Sequence, residues 1–262
     1  MCGRYGLYSS QERLIEHFGL AAAPPLKARY NIAPSDAVGI IRIPSGYDQR
    51  VWDQVTWGLI PHWAKDRTIG YKLINARAES VAEKPSFRDA FKYQRCLVPA
   101  DIFYEWAAAG GKKVPYAVRL QNQQPFAFAG LWDRWKDGEE VIESCTIITT
   151  GANDLLRPIH ERMPVILPET DYERWLDRTT QNPAALQALL KPYPSNAMTT
   201  YPVSTRVNRP ENDDRECIAP LPQHPSNPGS AARACPDGIR AARPLLRPRR
   251  PRDLPCVTPR AA

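Results

Sequence analysis

The chain has 262 residues, of which 43% are apolar, and a net charge of +7, enough for one large domain with a sizeable core. It has no run near the roughly 18 apolar residues that a membrane span needs, and its start has neither a basic region nor an apolar leader, so membrane and secretory classes are set aside and a soluble, cytoplasmic protein is expected. The charge is uneven: residues 224–262 hold eight arginines against Asp237 and Asp253, which leaves +1 on the first 223 residues, so a phosphate-binding surface there has to be a local cluster of Arg and Lys.

In chain order, the first predicted element is a helix over residues 11–18, opened by a Ser9-x-x-Glu12 capping box and closed by Gly19. Short β-rich runs follow at 37–43, 50–57, 95–99, 102–106, 116–120, 126–132 and 141–149, broken by Gly, Pro and Asp. Beyond a turn at Thr149-Thr150-Gly151, helical apolar spacing returns at 170–176 and 183–190. The class is α+β, with an antiparallel sheet or barrel-like core and a few flanking helices. Residues 1–223 form the predicted domain. Residues 224–262, rich in Pro, Ala and Arg and without aromatic residues, are expected to be disordered, either as a basic arm for DNA or as a solvated appendage.

The six cysteines, Cys2, Cys96, Cys145, Cys217, Cys235 and Cys256, include no C-x-x-C pair, so free thiols in a reducing compartment are expected. Cys145, inside an apolar run, reads as a small buried hydrophobe. His17, His62, His160 and His224 lack zinc spacing, so neither a metal nor a cofactor is expected.

Chemistry concentrates at Met1-Cys2-Gly3-Arg4-Tyr5. Removal of Met1 would leave Cys2 with an α-amine of pKa ~7.7–8.0 beside a thiol near ~8.5. Together these suit an aldehyde: the amine condenses to an imine and the thiol closes on its carbon as a thiazolidine. Three further segments carry candidates. Asn75, Arg77 and Glu79 fall on one face of an extended stretch. Glu105 lies between aromatics in Phe103-Tyr104-Glu105-Trp106, where desolvation raises a carboxyl pKa toward the general acid–base range. His160 follows the Thr149-Thr150-Gly151 turn. Taken singly, each has a plainer account: Asn75 as a turn former, Glu105 as an ion-pair partner, His160 as a structural histidine and Cys2 as chance. In the Trp57-Gly58-Leu59-Ile60-Pro61-His62-Trp63 run, a core role accounts equally well for Trp57, as it does for Trp132; Trp63, in a more polar setting, is the better exposed stacker.

As a set, the motifs resemble the SRAP family, the SOS-response-associated peptidase domain that shields abasic sites. They are Cys2-Gly3-Arg4, Asn31-Ile32-Ala33-Pro34, Trp57-Gly58-Leu59-Ile60-Pro61, Asn75-Ala76-Arg77-Ala78-Glu79, Arg95-Cys96-Leu97-Val98-Pro99-Ala100, Phe103-Tyr104-Glu105-Trp106, Ala129-Gly130-Leu131-Trp132, Thr149-Thr150, His160-Glu161-Arg162-Met163-Pro164 and Val207-Asn208. The resemblance implies a mostly antiparallel β pseudo-barrel and a basic groove for single-stranded DNA containing abasic sites. It also implies a thiazolidine crosslink from Cys2 to the ring-opened sugar, with the protein a monomer, at the nucleoid when engaged with DNA. It makes Cys2 the nucleophile, Asn75 an orienter, Glu105 the acid–base group and His160 a second proton-transfer group. Arg4, Arg77 and Arg162 are implied phosphate contacts, and Trp63 and Thr149 are read with them as DNA-binding. A cysteine peptidase and a non-catalytic strand binder stay open as alternatives. The tail departs from the family pattern, and so does Asp213-Asp214-Arg215-Glu216, the latter read as a change of little weight.

Overall fold

The computed structural model describes residues 2–222; the predicted tail at 224–262 lies outside them. In chain order the strands are β1 (Tyr5–Leu7), β2 (Arg29–Ile32), β3 (Ala37–Arg42), β4 (Val51–Trp57), β5 (Asn75–Arg77), β6 (Arg95–Ala100), β7 (Ile102–Ala109), β8 (Lys112–Leu120), β9 (Phe126–Asp137), β10 (Glu140–Gly151), β11 (Arg162–Pro164), β12 (Ile166–Leu167) and β13 (Met198–Pro202). The helices are α1 (Gln11–Phe18), α2 (Arg88–Tyr93), α3 (Tyr172–Leu176) and α4 (Pro183–Gln187).

Strand β6 shows why the core forms. All six of its residues are buried, with Cys96 and Val98 in one core cluster and Leu97 in another, as the two-residue period of a strand covered on both faces requires. Strands β10, β4, β3, β6 and β9 pair in that order, and β9 pairs back onto β10, closing a five-stranded barrel that leaves no free edge among them. The pairings are antiparallel except β4 with β10, where Ser144 lies opposite Thr56. Inside are Val38, Ile40, Val55, Trp57, Cys96, Val98, Phe128, Cys145 and Ile147. Outside, Ile41, Leu97, Ala129 and Ile148 pack under the helices through Leu14, Phe18, Phe91, Trp175 and Leu186. The four described cysteines are free and buried, and Cys145 is the expected core residue; Cys235 and Cys256 lie outside the described residues.

A second, open sheet runs β13-β8-β7-β1-β2. One face adds Tyr5, Phe103 and Val118 to the barrel core, and the other lies under Val203, Val207 and Cys217. Asp213 ties this covering segment down by accepting from the backbone N–H groups of Tyr30 and Asn31 and from Arg29. The aspartate pair thus has a definite place in the fold, a role that the sequence reading did not assign to it. Asp214 in turn pairs with Arg206 and caps the short turn Arg215–Cys217.

Other boundaries move as well. Ser10, not Ser9, caps α1 by accepting from the Arg13 N–H at 3.3 Å, because Ser9 spends its N–H and hydroxyl on buried Asp101. Gly19 closes the helix at φ 63° as expected. The 170–176 helix opens with a 3-10 turn, Glu169–Asp171, α4 stops at Gln187, and Thr149-Thr150-Gly151 is the end of β10 rather than a turn.

Between β4 and β5 the chain makes a loop whose base is locked by two glycines. A Cβ on Gly58, at φ 132°, would sit 2.8 Å from the Gly70 carbonyl oxygen, and one on Gly70 would sit 2.8 Å from that of Gly58. The loop carries Trp63 and delivers the chain to Asn75.

Candidate active site

Strand β1 lies between β7 and β2 in its sheet, so the first residues run beside the strand that bears Glu105. Tyr5 lies opposite Phe103, and the Tyr104 N–H donates to the Arg4 carbonyl at 3.0 Å. Cys2 is fully buried. Burial pushes its thiol far up, and the charge of Glu105 adds to the rise, so the thiol form is favoured.

Glu105 is 2% exposed. Desolvation lifts its carboxyl to about 7, against the pull of the positive chain terminus. Such a group holds and releases a proton at neutral pH. His160 moves the other way, burial first and the same terminal charge second holding it below the usual imidazole range. Its Nδ1 lies 2.9 Å from the Arg162 backbone N–H and 3.2 Å from the Arg162 carbonyl, contacts that fix the orientation of the ring. Glu105 and His160 line one cleft of about 400 Å³ with Trp106, Lys113 and Asn208. A second cavity, about 860 Å³ between the β3–β4 hairpin and α3, contains none of the residues singled out from the sequence.

Asn208 sets one wall of the cleft. Its Oδ1 accepts from the Trp106 indole N–H at 2.8 Å, and its carbonyl accepts from Arg4 at 3.2 Å. Arg4 also donates to Asn31 Oδ1 at 2.8 Å and to the Val207 carbonyl at 2.7 Å. Its guanidinium thus points into the protein and ties the 207–208 segment to β2.

The remaining candidates gather around β5, which runs parallel to β10. The expected alternation is present, with Ala76 and Ala78 buried and Arg77 and Glu79 exposed. Asn75 donates to the carbonyls of Ile74 and Ile147 at 3.0 and 3.4 Å, while its Oδ1 is buried with no hydrogen-bond partner among the described residues. Asn75 is not among the residues lining the Glu105–His160 cleft. Arg162 grips Glu79 through two bonds of 2.7 and 3.0 Å and donates to the Thr149 carbonyl at 2.7 Å. Thr149 itself is fully buried, its hydroxyl bonding the Ala76 carbonyl and Arg162. Trp63 is 47% exposed and lines a separate hollow with Lys65, Asp66 and Lys72. Trp57 is core, its indole N–H donating to the Ile74 carbonyl at 2.9 Å. Arg42 stacks over Trp132 at 3.9 Å.

Lys113 is the cleft residue that sequence reasoning missed, since a lysine near a hairpin tip carries no local signal. Trp106 and Asn208 stood inside matched motifs without roles. Among the described residues no group of three or more His, Cys, Asp or Glu could hold a metal ion, and no helix is long and apolar enough to cross a membrane.

Comparison with known proteins bears on this geometry. The profile of the family "SOS response associated peptidase (SRAP)" matches residues 1–210. The protein named abasic site processing protein YoqW, from Bacillus subtilis (strain 168), is 45% identical over 223 residues, 83% of this chain and 99% of that one. Abasic site processing protein HMCES of Gallus gallus is 34% identical over 198 residues, 66% of this chain and 58% of its own. Among solved structures, a protein from Bacteroides thetaiotaomicron superposes with a TM-score of 0.76 at 28% identity, covering 84% of this chain and 100% of that one.

Proposed function

The chain belongs to the SOS response associated peptidase (SRAP) family, and from that premise we propose that it processes abasic sites by trapping them covalently on Cys2 in single-stranded DNA. With Met1 removed, the Cys2 amine adds to the C1′ aldehyde of the ring-opened sugar. Water leaves to give an imine, and the thiol then adds across the C=N bond, its proton passing to nitrogen, to close a thiazolidine. The net change is the loss of one water.

One observation carries the reading: Glu105, a carboxyl lifted to about 7, shares a cleft with the neutral His160 while bearing on the Cys2 thiol. Dehydration to the imine needs a proton donor and thiol addition needs an acceptor. Protonated Glu105 serves the first step and its carboxylate the second, and His160 offers Nε2 as a second relay. Asn75 Oδ1 is an acceptor for the sugar hydroxyl or the amine. Exposed Arg77 and Trp63, with the partly buried Arg162, form the strand-binding face, with Thr149 acting through Arg162. Arg4 acts at one remove, holding Asn208 and so Trp106. A peptidase mechanism with Cys2 as nucleophile needs the same loss of the thiol proton that ring closure needs, and a peptide-hydrolysis assay separates the two.

The test is a single-stranded oligonucleotide with one abasic site, run on denaturing gels beside intact mass spectrometry with the parent protein, Cys2→Ala and Cys2→Ser. The expected result is a denaturant-resistant adduct in the parent alone, with the mass of protein lacking Met1 plus DNA less one water. Absence of that adduct from folded protein lacking Met1 would overturn the reading. Equal binding of intact and abasic strands by parent and Cys2→Ala would then favour a plain strand binder.

A further inference from the structure

Arg162 is a cation of the strand-binding face, yet its charge is already engaged. Glu79 holds it by two carboxylate–guanidinium bonds of 2.7 and 3.0 Å, the two-pronged geometry that a phosphate offers a guanidinium. The arginine side chain is 16% exposed and the carboxylate 56%. The arginine is also anchored from behind, its Nη2 donating to the Thr149 carbonyl at 2.7 Å. The anchored partner is therefore the cation and the movable one is the acid. Glu79 follows Arg77 by two residues on the outer face of the β5 stretch, so the carboxylate stands where a strand crossing Arg77 and Arg162 would run.

We infer that Glu79 is a built-in phosphate mimic, a specificity-determining residue that occupies Arg162 until a DNA phosphate displaces it. This rests on the reading of Arg162 as a phosphate contact. The carboxylate is 56% exposed, so solvent screens the pair and a phosphate can replace it. The exchange still weakens every strand contact by the strength of that pair. The protein then leaves undamaged strands quickly, while covalent capture, which a reversible penalty does not undo, keeps it at abasic sites.

The mechanism has a signature in salt dependence. An arginine that neutralises a phosphate releases the cation condensed on the strand there and contributes about −0.7 to the slope of log K against log salt on a single strand. Where Arg162 takes the phosphate, the displaced Glu79 carboxylate stays beside it and holds a cation in the place of the one released, so the pair contributes little. The experiment measures binding of an undamaged oligonucleotide at several salt concentrations to the full chain as parent, Glu79→Gln, Arg162→Ala and the double variant, with thermal melts to verify folding. Glu79→Gln is expected to bind up to about fivefold tighter, the ion-pair strength expressed as an affinity ratio, with a slope steeper by about 0.7. Both changes should vanish in the Arg162→Ala background. Unchanged or weaker binding by Glu79→Gln, with Arg162→Ala binding more weakly than the parent, overturns the inference and leaves Glu79 as a structural support. An equal gain in both backgrounds also overturns it, as a general charge effect. If Arg162→Ala binds like the parent, the reading of Arg162 itself fails, and the inference with it.

Discussion

Glu105 is held near 7 chiefly by burial, and the same property that fits it for proton transfer makes folding depend on pH. Below its ordinary value of 4.5 it is protonated folded and unfolded, and burial of the neutral acid carries no ionisation penalty. From 4.5 to about 7 the unfolded chain releases a proton that the folded chain keeps, so stability falls as pH rises. Above about 7 the loss is complete, on the order of 3 kcal/mol. Urea melts of Glu105→Gln are expected to show a variant more stable than the parent at pH 8, with a flatter profile between pH 5 and 7. The crosslinking rate should lose an inflection near pH 7 in the same variant. Profiles that run parallel through that window would show that Glu105 does not titrate there. The raised carboxyl was legible in the sequence, because an acid between Tyr104 and Trp106 at the end of an apolar run has few solvated places to go. The inward turn of Arg4 was not, since its partners Asn31, Val207 and Asn208 become neighbours only when the 203–218 segment folds over the second sheet. Thr149 shows the same limit: its motif marks it out, but its position beneath Arg162 depends on the β10–β11 pairing.

At the scale of elements, the Gly58–Gly70 contact fixes the loop that carries Trp63 and presents Asn75. Both neighbours of a new Cβ would be backbone atoms at 2.8 Å, which cannot swing aside as a side chain can, and Gly58 has a φ of 132° that L side chains rarely adopt. Gly58→Ala is expected to destabilise the protein by about 2–3 kcal/mol. It should also slow capture of abasic DNA beyond what the stability loss accounts for, as β5 shifts. Melting and crosslinking assays made well below the transition separate the two effects, and a parent-like rate would show that the loop does not set the position of β5. The long strands were legible because their apolar runs are long enough to show a period and end at Gly, Pro or Asp. Strands β1, β5, β11 and β12 have two or three residues, too short to display a period, and exist through pairing with distant partners. Helix α2 lacks a side-chain cap. It is held instead by buried Arg95, which donates to the carbonyls of Phe91, Lys92, Trp175, Asp177 and Thr180, a hub that links α2 to the region after α3 and that no local pattern announces.

For the whole molecule the decisive quantity is where the charge sits. Removing residues 224–262 would remove +6 of the +7, taking away most of the net attraction for nucleic acid while sparing every residue assigned to the chemistry. If the tail acts as a basic arm, the truncated chain should bind undamaged single strands more weakly at low salt. Its log K against log salt slope should also be shallower by at least about 1.4, the equivalent of two phosphate contacts. The yield of covalent adduct at saturating abasic DNA should be unchanged, because the residues proposed for capture, Cys2, Glu105 and His160, lie outside the segment removed. If the slope is unaltered, the arginines do not meet DNA and the tail is a solvated appendage. The comparison belongs beside the Glu79→Gln measurement, since the two act in opposite directions on one quantity: the tail would lengthen residence on any strand and Glu79 would shorten it. A chain carrying both devices would search undamaged DNA through weak, salt-sensitive contacts and commit only where an aldehyde lets Cys2 close the ring.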